Sequence, residues 1–304
     1  MITDIQKEID RLKKSTDTCI LAHSYMSEDI CEAADFCGDS YALAVKAKNV
    51  PQSNVIVCGV RFMAETVKML SPSKRVILAN PQAGCPMAEQ FNVEEIEKLK
   101  RQNAGCAVVA YVNTTAKLKT IADVCVTSSS AVKICSALPQ KDILFIPDIN
   151  LGTYVKNLLP EKNFILVDGG CPAHAKITRA DAENAKRAYP QALMLVHPEC
   201  RPEVTALADY VGSTAGIMQF AEKSDKKQFI IGTENSIVQH LQFRCPDKKF
   251  YPLSKDLLCG NMRITTLYDV FDCLNGDGGE EIVMPEELRV RAVRSIEKMI
   301  EYGG

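Results

Sequence analysis

The stretch EAADFCGDSYALAVKA (residues 32–47) recurs twice, as TIADVCVTSSSAVKIC (120–135) and ALADYVGSTAGIMQFA (206–221). The three stretches align without gaps and begin 88 and 86 residues apart. The same two intervals separate VRFMAETVKMLSP, DINLGTYVKNLLP and ENSIVQHLQFRCP further along the chain. Landmarks that keep one spacing indicate a structural unit repeated within the chain. We therefore predict three homologous units that fill nearly all of the 304 residues.

Each unit contains apolar runs of strand length that alternate with helical segments. The first such run is CILAH (19–23), and its counterparts are CAVVAYV (106–112) and LMLVH (193–197). Continuous apolar strands between helices are typical of parallel sheets covered on both faces. The fold class predicted is α/β, with three homologous doubly wound α/β/α domains. Their short parallel sheets would surround a pseudo-three-fold axis and a central active-site cavity. The predicted domains are 1–104, 105–190, and 191–304 with a C-terminal helix.

Composition excludes several classes of partner. Hydrophobic residues make up 46% and charged residues 24% of the chain, which is ordinary for a soluble globular protein. A net charge of −2 without a Lys/Arg run gives no field for nucleic acid or a membrane surface. The start, MITDIQKEIDRLKKS, predicts an amphipathic polar helix rather than a signal peptide, and no apolar run has spanning length. We expect a cytoplasmic protein. Near the other end, NGDGGEE (275–281) predicts a flexible turn before the closing helix.

Cysteine is abundant, with thirteen residues. In a reducing compartment most of them should be buried as small hydrophobic side chains, because disulfides are rare there. Cys245, a lone Cys-Pro after a helix, is predicted to be structural. Core packing is predicted for the cysteines in apolar runs, which are Cys19, Cys31, Cys37, Cys58, Cys106, Cys125 and Cys135.

Three other cysteines occupy one position in each unit. Cys85, Cys171 and Cys259 lie 86 and 88 residues apart, each in a loop beside Gly or Pro. Three thiolates suit an iron–sulfur cluster or zinc, and three ligands leave one position open for Lewis-acid chemistry. The spacing matches neither a CxxC zinc pair nor the compact ferredoxin run. We favour a four-iron cluster with one open iron. A three-cysteine zinc site and a chance recurrence of Cys-Pro and Cys-Gly loops are the alternatives.

Polar residues follow the first strand of each unit, where parallel sheets bind ligands. Loops that served only as turns or caps would carry similar residues in all three units. The pairs differ instead, which predicts an asymmetric active site on a repeated scaffold; they are His23 with Tyr25, Tyr111 with Asn113, and His197 with Glu199.

Hydroxyl-rich turns open a helix in each unit: GDSYA, VTSSSA and GSTAGI. Backbone N–H groups and hydroxyls at such positions bind phosphate or carboxylate. Simple helix capping explains any one of them equally well.

The motifs AHSY, GDS, CPMA, YVNTTA, VTSSSA, HPEC, GSTAGI and IGTE occur in this order. With one cysteine per repeat, the chain resembles the quinolinate synthase family over essentially its whole length. The resemblance implies a 4Fe–4S cluster held by Cys85, Cys171 and Cys259. It also implies a transferase of NAD biosynthesis that condenses iminoaspartate with dihydroxyacetone phosphate to quinolinate, releasing phosphate and water. Because iminoaspartate is unstable, the resemblance further implies coupling to an L-aspartate oxidase or dehydrogenase.

The resemblance also assigns roles to residues. It implies acid/base catalysis by Tyr25, His197 and Glu199, and Met262 matches a cavity position. Substrate binding is implied for His23, Ser40, Tyr111, Asn113, Ser128, Ser213 and Thr214. Two departures stand out: the segment DGGCPAHAKI lacks an aromatic residue often found before the second ligand, and the extra cysteines that form a redox switch near the third ligand in some members are absent. The competing hypotheses are a non-catalytic scaffold with decayed cysteines and a zinc-dependent hydrolase, which the lack of a His-rich ligand set disfavours.

Overall fold

A computed structural model describes the backbone of residues 2–303 and the side chains of residues 4–303. The chain forms two compact units. The first unit comprises Met1–Cys85, Thr115–Thr120 and Cys259–Arg294. The second unit comprises Pro86–Thr114, Ile121–Leu258 and Ser295–Gly304.

Three sheets are present in the described residues, one in the first unit and two in the second. The strands of the first sheet are β1 (Thr18–His23), β2 (Phe36–Gly38), β3 (Asn54–Cys58), β4 (Arg75–Leu78) and β13 (Glu280–Glu281). The second sheet contains β5 (Ala107–Tyr111), β6 (Val124–Val126), β7 (Asp142–Ile146) and β8 (Asn163–Leu166). The third contains β9 (Leu193–Val196), β10 (Tyr210–Val211), β11 (Gln228–Gly232) and β12 (Lys249–Pro252).

Helices connect these strands. Those preceding the second sheet are α1 (Ile2–Ser15), α2 (Glu28–Ala33), α3 (Ser40–Ala47), α4 (Arg61–Leu70), α5 (Pro86–Glu89) and α6 (Val93–Gln102). The next are α7 (Ala116–Lys119), α8 (Ala131–Ala137), α9 (Ile149–Leu158), α10 (Pro172–Ala175), α11 (Arg179–Ala188) and α12 (Pro202–Thr205). The last are α13 (Thr214–Lys223), α14 (Ser236–Arg244), α15 (Gly260–Arg263), α16 (Leu267–Asn275) and α17 (Glu286–Gly303).

The strand order repeats in all three sheets. It runs β2-β1-β3-β4 in the first, β6-β5-β7-β8 in the second and β10-β9-β11-β12 in the third, with every pair in these runs parallel. The first strand of each repeat therefore lies inside its sheet, where the direction of winding reverses. Ligands of open α/β sheets bind beyond the carboxyl end of the strands at that switch point. His23, Tyr111 and His197 occupy this place in their own sheets.

The repeated aspartate of the opening motif has a structural role in each sheet. Its carboxylate accepts the backbone N–H of a residue 15 positions earlier, on the first strand, at 2.7 to 2.8 Å. Its own N–H donates to the carbonyl of that same residue at 2.8 to 2.9 Å. The three pairs are Asp35 with Ile20, Asp123 with Val108 and Asp209 with Met194. The aspartate thus fixes the register between the first strand and the edge strand that follows it.

We expect the Asp209→Ala variant to unfold with a free energy about 1–3 kcal/mol lower than that of the unmodified protein, because the buried N–H of Met194 loses its acceptor. Asp225, in the exposed loop between α13 and β11, provides the matched control. Asp225→Ala should change the free energy of unfolding by less than about 0.5 kcal/mol. Urea unfolding measures both. Equal losses would contradict the register role.

The segment 275–281 contains the predicted turn at residues 276–279, but Asn275 is the last residue of α16 and Glu280 and Glu281 form a strand. Gly276, with φ of 84°, ends α16 in the left-handed conformation that glycine adopts without strain. Glu280 and Glu281 then pair antiparallel with β4, and their carboxylates lie 2.6 Å from Arg61 and 2.9 Å from Arg75. The strand forms because these arginines hold it and because it covers the exposed edge of β4.

The predicted α/β class with short parallel sheets is confirmed, as are the amphipathic first helix α1 and the closing helix α17. The antiparallel β13 is the exception to parallel pairing. The pseudo-three-fold axis, the central cavity and the domain bounds remain predictions. Within residues 2–303, no helix combines the length and apolar character needed to cross a membrane.

Candidate metal centre and catalytic network

A buried aspartate fixes the loop that carries Cys171. The half-buried Cys171 precedes α10, and its N–H donates to Asp148 Oδ2 at 2.9 Å. Asp148 is fully buried and also caps α9 by accepting the N–H of Leu151 at 2.7 Å. Burial and the nearby charge of Glu199 raise the pKa of Asp148, although these two hydrogen bonds oppose the rise. The thiol of Cys171 is therefore presented from a rigid backbone.

His174 links Cys171 to two further side chains. It lies three residues after Cys171 on α10, and only 2% of it is exposed. Its Nδ1 lies 3.3 Å from Cys171 Sγ and 2.9 Å from Glu199 Oε2, while its Nε2 lies 3.1 Å from Thr233 Oγ1. One sulfur, one nitrogen and one carboxylate oxygen, from Cys171, His174 and Glu199, all lie within 4.8 Å of one another. Such a donor set suits a transition metal.

Glu199 is an ionised carboxylate in a site that excludes water. It is 4% exposed, its backbone carbonyl accepts Asn150 Nδ2 at 3.0 Å, and Tyr111 donates a hydrogen bond to its side chain. Burial alone would raise the pKa of Glu199. The neighbouring imidazoles and the hydrogen bonds from His174 and Tyr111 outweigh burial and lower the pKa. Glu199 is therefore charged at neutral pH.

His197 stands beside this carboxylate as a neutral imidazole. Its Nδ1 accepts the N–H of Glu199 at 3.3 Å, so the proton resides on Nε2, which lies 3.2 Å from Ser128 Oγ. Its ring centroid is 5.0 Å from that of His174. Burial lowers the pKa of His197 to about 4, against the opposing charge of Glu199. The site thus pairs a charged base with a neutral hydrogen-bond donor.

His197 makes stability depend on pH in a defined window. Its pKa falls from 6.5 when unfolded to about 4 when folded, so the unfolded chain binds a proton first as pH drops. The stabilisation is complete above pH 6.5 and is lost between there and pH 4, by about 3 kcal/mol. Glutamine does not titrate. Between pH 7 and pH 4, we therefore expect the free energy of unfolding of His197→Gln to fall by about 3 kcal/mol less than that of the unmodified protein. Urea unfolding at both pH values measures it. Parallel losses in the two proteins would contradict the buried neutral imidazole.

In the first unit, His23 and Tyr25 repeat the local arrangement of His197 and Glu199. His23 Nδ1 accepts the N–H of Tyr25 at 3.1 Å, and the two rings meet edge to face with centroids 4.6 Å apart. Ser40 is the first residue of α3, which Asp39 caps through the N–H of Ala42 at 2.9 Å. Aspartate rather than serine is the cap, so the hydroxyl of Ser40 is not used for capping.

Ser213 and Asn113, both in the second unit, differ in whether the side chain is already hydrogen-bonded within the protein. Ser213 caps α13 by accepting the N–H of Gly216 at 3.1 Å, which is the capping role that the sequence left open, and Thr214 follows it in the helix. Asn113 Oδ1 is buried and has no hydrogen-bond partner among the described residues. An orphaned buried acceptor requires an explanation, and a bound ligand that donates a hydrogen bond supplies one.

Of the predicted site residues, Tyr111, Ser128, Cys171, His197 and Glu199 form one connected network in the second unit. Sequence reasoning missed the contributions of Asp148, Asn150 and Thr233 and gave His174 no role. Signals existed for two of them: His174 lies three residues after Cys171, the spacing that places two side chains on one helix face, and Thr233 belongs to the IGTE motif.

A cavity of about 450 Å³, lined in part by the loop that leads to Cys171, also lies within the second unit. It does not contain the predicted substrate residues of that unit. Its lining consists of Ile149, Asn150, Asp168, Gly169, Gly170, Ala175, Arg201, Pro202 and Glu203.

The three repeated cysteines share one degree of burial and one local position. Cys85, Cys171 and Cys259 are all half-buried, and each immediately precedes a short helix, respectively α5, α10 and α15. The core prediction is confirmed for Cys19, Cys58, Cys106, Cys125 and Cys135. It is wrong for Cys31 and Cys37, which are only half-buried because the edge strand β2 and the short α2 leave them partly uncovered.

Fold and site together define an α/β protein with a thiol–imidazole–carboxylate set whose donor atoms suit a metal ion. Residues 7–301 match the family described as quinolinate synthetase A protein. Proteins named quinolinate synthase are similar over nearly their whole length. The one from Thermodesulfovibrio yellowstonii is 43% identical, covering 99% of both chains, and the one from Caldicellulosiruptor bescii is 44% identical, covering 98% of both. Quinolinate synthase 2 of Methanosarcina acetivorans is 42% identical, covering 99% of this chain and 96% of its own. The chain belongs to the quinolinate synthetase A protein family.

Proposed function

We propose that this protein is a quinolinate synthase that condenses iminoaspartate with dihydroxyacetone phosphate, forming quinolinate and releasing phosphate and water. Family membership supports the activity. The observation that carries the site is the buried Glu199, charged and hydrogen-bonded to Tyr111 and His174, beside Cys171. Condensation and dehydration need repeated proton transfers, and general acid–base groups contribute about 10²–10⁴-fold to such steps.

The proposed cofactor is a 4Fe–4S cluster held by Cys85, Cys171 and Cys259. The chemistry of the donor set fits it: three half-buried thiols occupy equivalent positions after the fourth strand of each repeat, whereas seven of the other ten cysteines are buried. When bound, a cluster with three protein ligands supplies an open iron that acts as a Lewis acid toward substrate oxygen or nitrogen.

The protein side chains would divide the remaining work. Glu199 accepts a proton, while Tyr111 donates its hydroxyl proton toward that carboxylate. Neutral His197 holds its Nε2 proton toward Ser128 and is placed to donate a hydrogen bond to substrate. Tyr25, oriented by His23, would provide the acid/base group of the first unit. The burial of Glu199, Tyr111 and His197 excludes water, which would protect an imine from hydrolysis.

Substrate carboxylates and phosphate would bind to hydroxyl, amide and imidazole groups. Asn113 would bind a different substrate group, because its buried Oδ1 has no partner in the described part of the chain and can only accept a hydrogen bond from an N–H or O–H of the ligand. Hydroxyls and N–H groups at helix starts suit anions. The full proposed binding set is His23, Ser40, Tyr111, Asn113, Ser128, Ser213 and Thr214.

We also propose the three-domain division at residues 1–104, 105–190 and 191–304, related by a pseudo-three-fold axis around one cavity. The identical strand order of the three sheets supports it. Because iminoaspartate hydrolyses in water, an L-aspartate oxidase or dehydrogenase would supply it, in the cytoplasm where de novo NAD biosynthesis takes place.

Anaerobic purification followed by a coupled assay tests this function. We expect a brown protein with about four irons per chain, the content of one such cluster. With an L-aspartate oxidase, an electron acceptor other than oxygen for that oxidase, L-aspartate and dihydroxyacetone phosphate, quinolinate and phosphate should appear in equal amounts. Omitting the oxidase is the control and should abolish both products. A colourless protein with stoichiometric zinc, or iron-loaded protein that forms no quinolinate, would overturn the proposal.

A further inference from the structure

Two cysteines outside the proposed metal and catalytic sets lie in direct contact. Cys31 Sγ on α2 and Cys37 Sγ in the middle of β2 are 2.6 Å apart. A disulfide bond is about 2.05 Å long, so the sulfurs need to approach by only about half an ångström. Both side chains are half-buried rather than enclosed, so a small oxidant can reach them.

The backbone holds the pair together from both sides. Helix α2 ends at Ala33, and the chain enters β2 at Phe36, so only five residues separate the two cysteines. Asp35, between them, is fixed by reciprocal hydrogen bonds with Ile20 on β1. Cys37 is paired in register with Ala22 on the same strand. The contact is therefore a feature of ordered secondary structure and not of a loose loop.

The pair lies next to the loop that carries His23 and Tyr25, the predicted catalytic loop of the first unit. Cys31 Sγ is 3.9 Å from the carbonyl oxygen of His23, the residue that orients Tyr25. Cys37 is followed by Gly38, whose carbonyl accepts the N–H of Ser24 at 2.9 Å. The next turn carries Ser40. The two cysteines thus contact or adjoin both strand ends that carry site residues.

We propose that Cys31 and Cys37 form a redox-active dithiol, a modification site oxidised to a disulfide by hydrogen peroxide and restored by a dithiol reductant. In the oxidation, one S–S bond forms and the O–O bond of the peroxide breaks. The two thiols lose two electrons and two protons, and the peroxide becomes two molecules of water. In the reverse step, the dithiol reductant is itself oxidised to a disulfide and returns both protons.

The state of the pair before oxidation is consistent with this chemistry. The hydrogen bond with Cys37, together with burial, raises the pKa of Cys31, so Cys31 stays a thiol at neutral pH. The sulfur of Cys37 is then the one that meets the oxidant, and Cys31 resolves the resulting sulfenic acid. The disulfide would tie α2 to β2 and restrict the loop of His23 and Tyr25. The effect of this restriction on quinolinate binding rests on the proposed function, whereas formation of the disulfide does not.

Peptide mapping tests the bond itself. The full-length protein is treated with one equivalent of hydrogen peroxide, free thiols are alkylated, and the chain is cleaved after glutamate. Cleavage after Glu32 separates the two cysteines, so a Cys31–Cys37 disulfide appears in mass spectra as two linked peptides that a dithiol separates. Absence of this linked pair at full consumption of the peroxide would overturn the proposal, whatever the enzyme's activity.

Variants test the consequence. We expect oxidation to weaken quinolinate binding to the unmodified protein at least fivefold, reversibly, with the visible absorbance of the cluster followed separately. Cys31→Ser and, as a second variant in case the first folds poorly, Cys37→Ala should bind quinolinate equally before and after peroxide. Cys245→Ser, a half-buried cysteine distant in sequence from the pair, is the control and should respond like the unmodified protein. If the disulfide forms and binding is unchanged, the link to the site is refuted.

Discussion

Replacement of Cys171 with alanine should remove iron and activity together. We expect the Cys171→Ala protein, purified without air, to lack visible absorbance and to turn over at least about a thousandfold more slowly, because a Lewis-acid metal contributes several kcal/mol to a transition state. Iron analysis, absorbance and the coupled quinolinate assay measure the three effects. Cys245→Ala is the matched control, since Cys245 is equally half-buried and also precedes a proline.

The same assay distinguishes the proposed cluster from a single metal ion bound at Cys171, His174 and Glu199. A 4Fe–4S cluster requires Cys85 and Cys259 as well, so alanine at either position should abolish iron binding. A single metal ion bound by Cys171, His174 and Glu199 would survive both replacements and would be lost in His174→Ala. Retention of metal in Cys85→Ala and Cys259→Ala would therefore refute the cluster.

Replacement of Glu199 with glutamine should lower kcat by about 10²–10⁴, the usual contribution of a positioned general base. Glutamine keeps the size of the side chain but cannot accept a proton at neutral pH. It also removes the negative charge that faces His174 and His197 inside a buried site. Iron content should stay at the level of the unmodified protein, because Glu199 is not among the proposed cluster ligands.

Glu222→Gln provides the control for this substitution. Glu222 lies on the surface of α13, where it faces Arg244 at 3.4 Å, so its loss should change kcat less than twofold. Steady-state assays of the two iron-loaded variants measure the difference in kcat. A Glu199→Gln enzyme with unchanged kcat would exclude Glu199 as the base and direct attention to Tyr111 or Tyr25.

Much of the fold could be predicted from the sequence, because its determinants are local. Apolar runs of four to six residues between helical segments specify buried parallel strands wherever they occur. The intervals of 88 and 86 residues showed that the same arrangement occurs three times, and the three identical strand orders agree with it. The repeated stretches share one aspartate at the same position, and the structure shows what it does: its carboxylate binds the first strand 15 residues earlier.

Positions at the strand ends were also predictable, since a parallel sheet gathers its carboxyl ends at one edge. His197, Glu199, Tyr111 and Ser128 were selected on this basis, and the structure joins all four through hydrogen bonds. Their charge states were not predictable. The ionised Glu199 and the neutral His197 result from burial and from neighbours that are distant in the chain.

The sequence by itself therefore determined the repeated α/β scaffold, the strand-end positions and the three equivalent cysteines. Only the tertiary structure decided that Asp148 holds the Cys171 loop, that His174 joins Cys171 to Glu199, that Cys31 touches Cys37, and that Glu280 and Glu281 close the edge of β4. The physical reason is the same in each case. Periodic patterns encode which face of an element is buried, whereas contacts between polar side chains depend on register and packing between elements, which no local pattern contains.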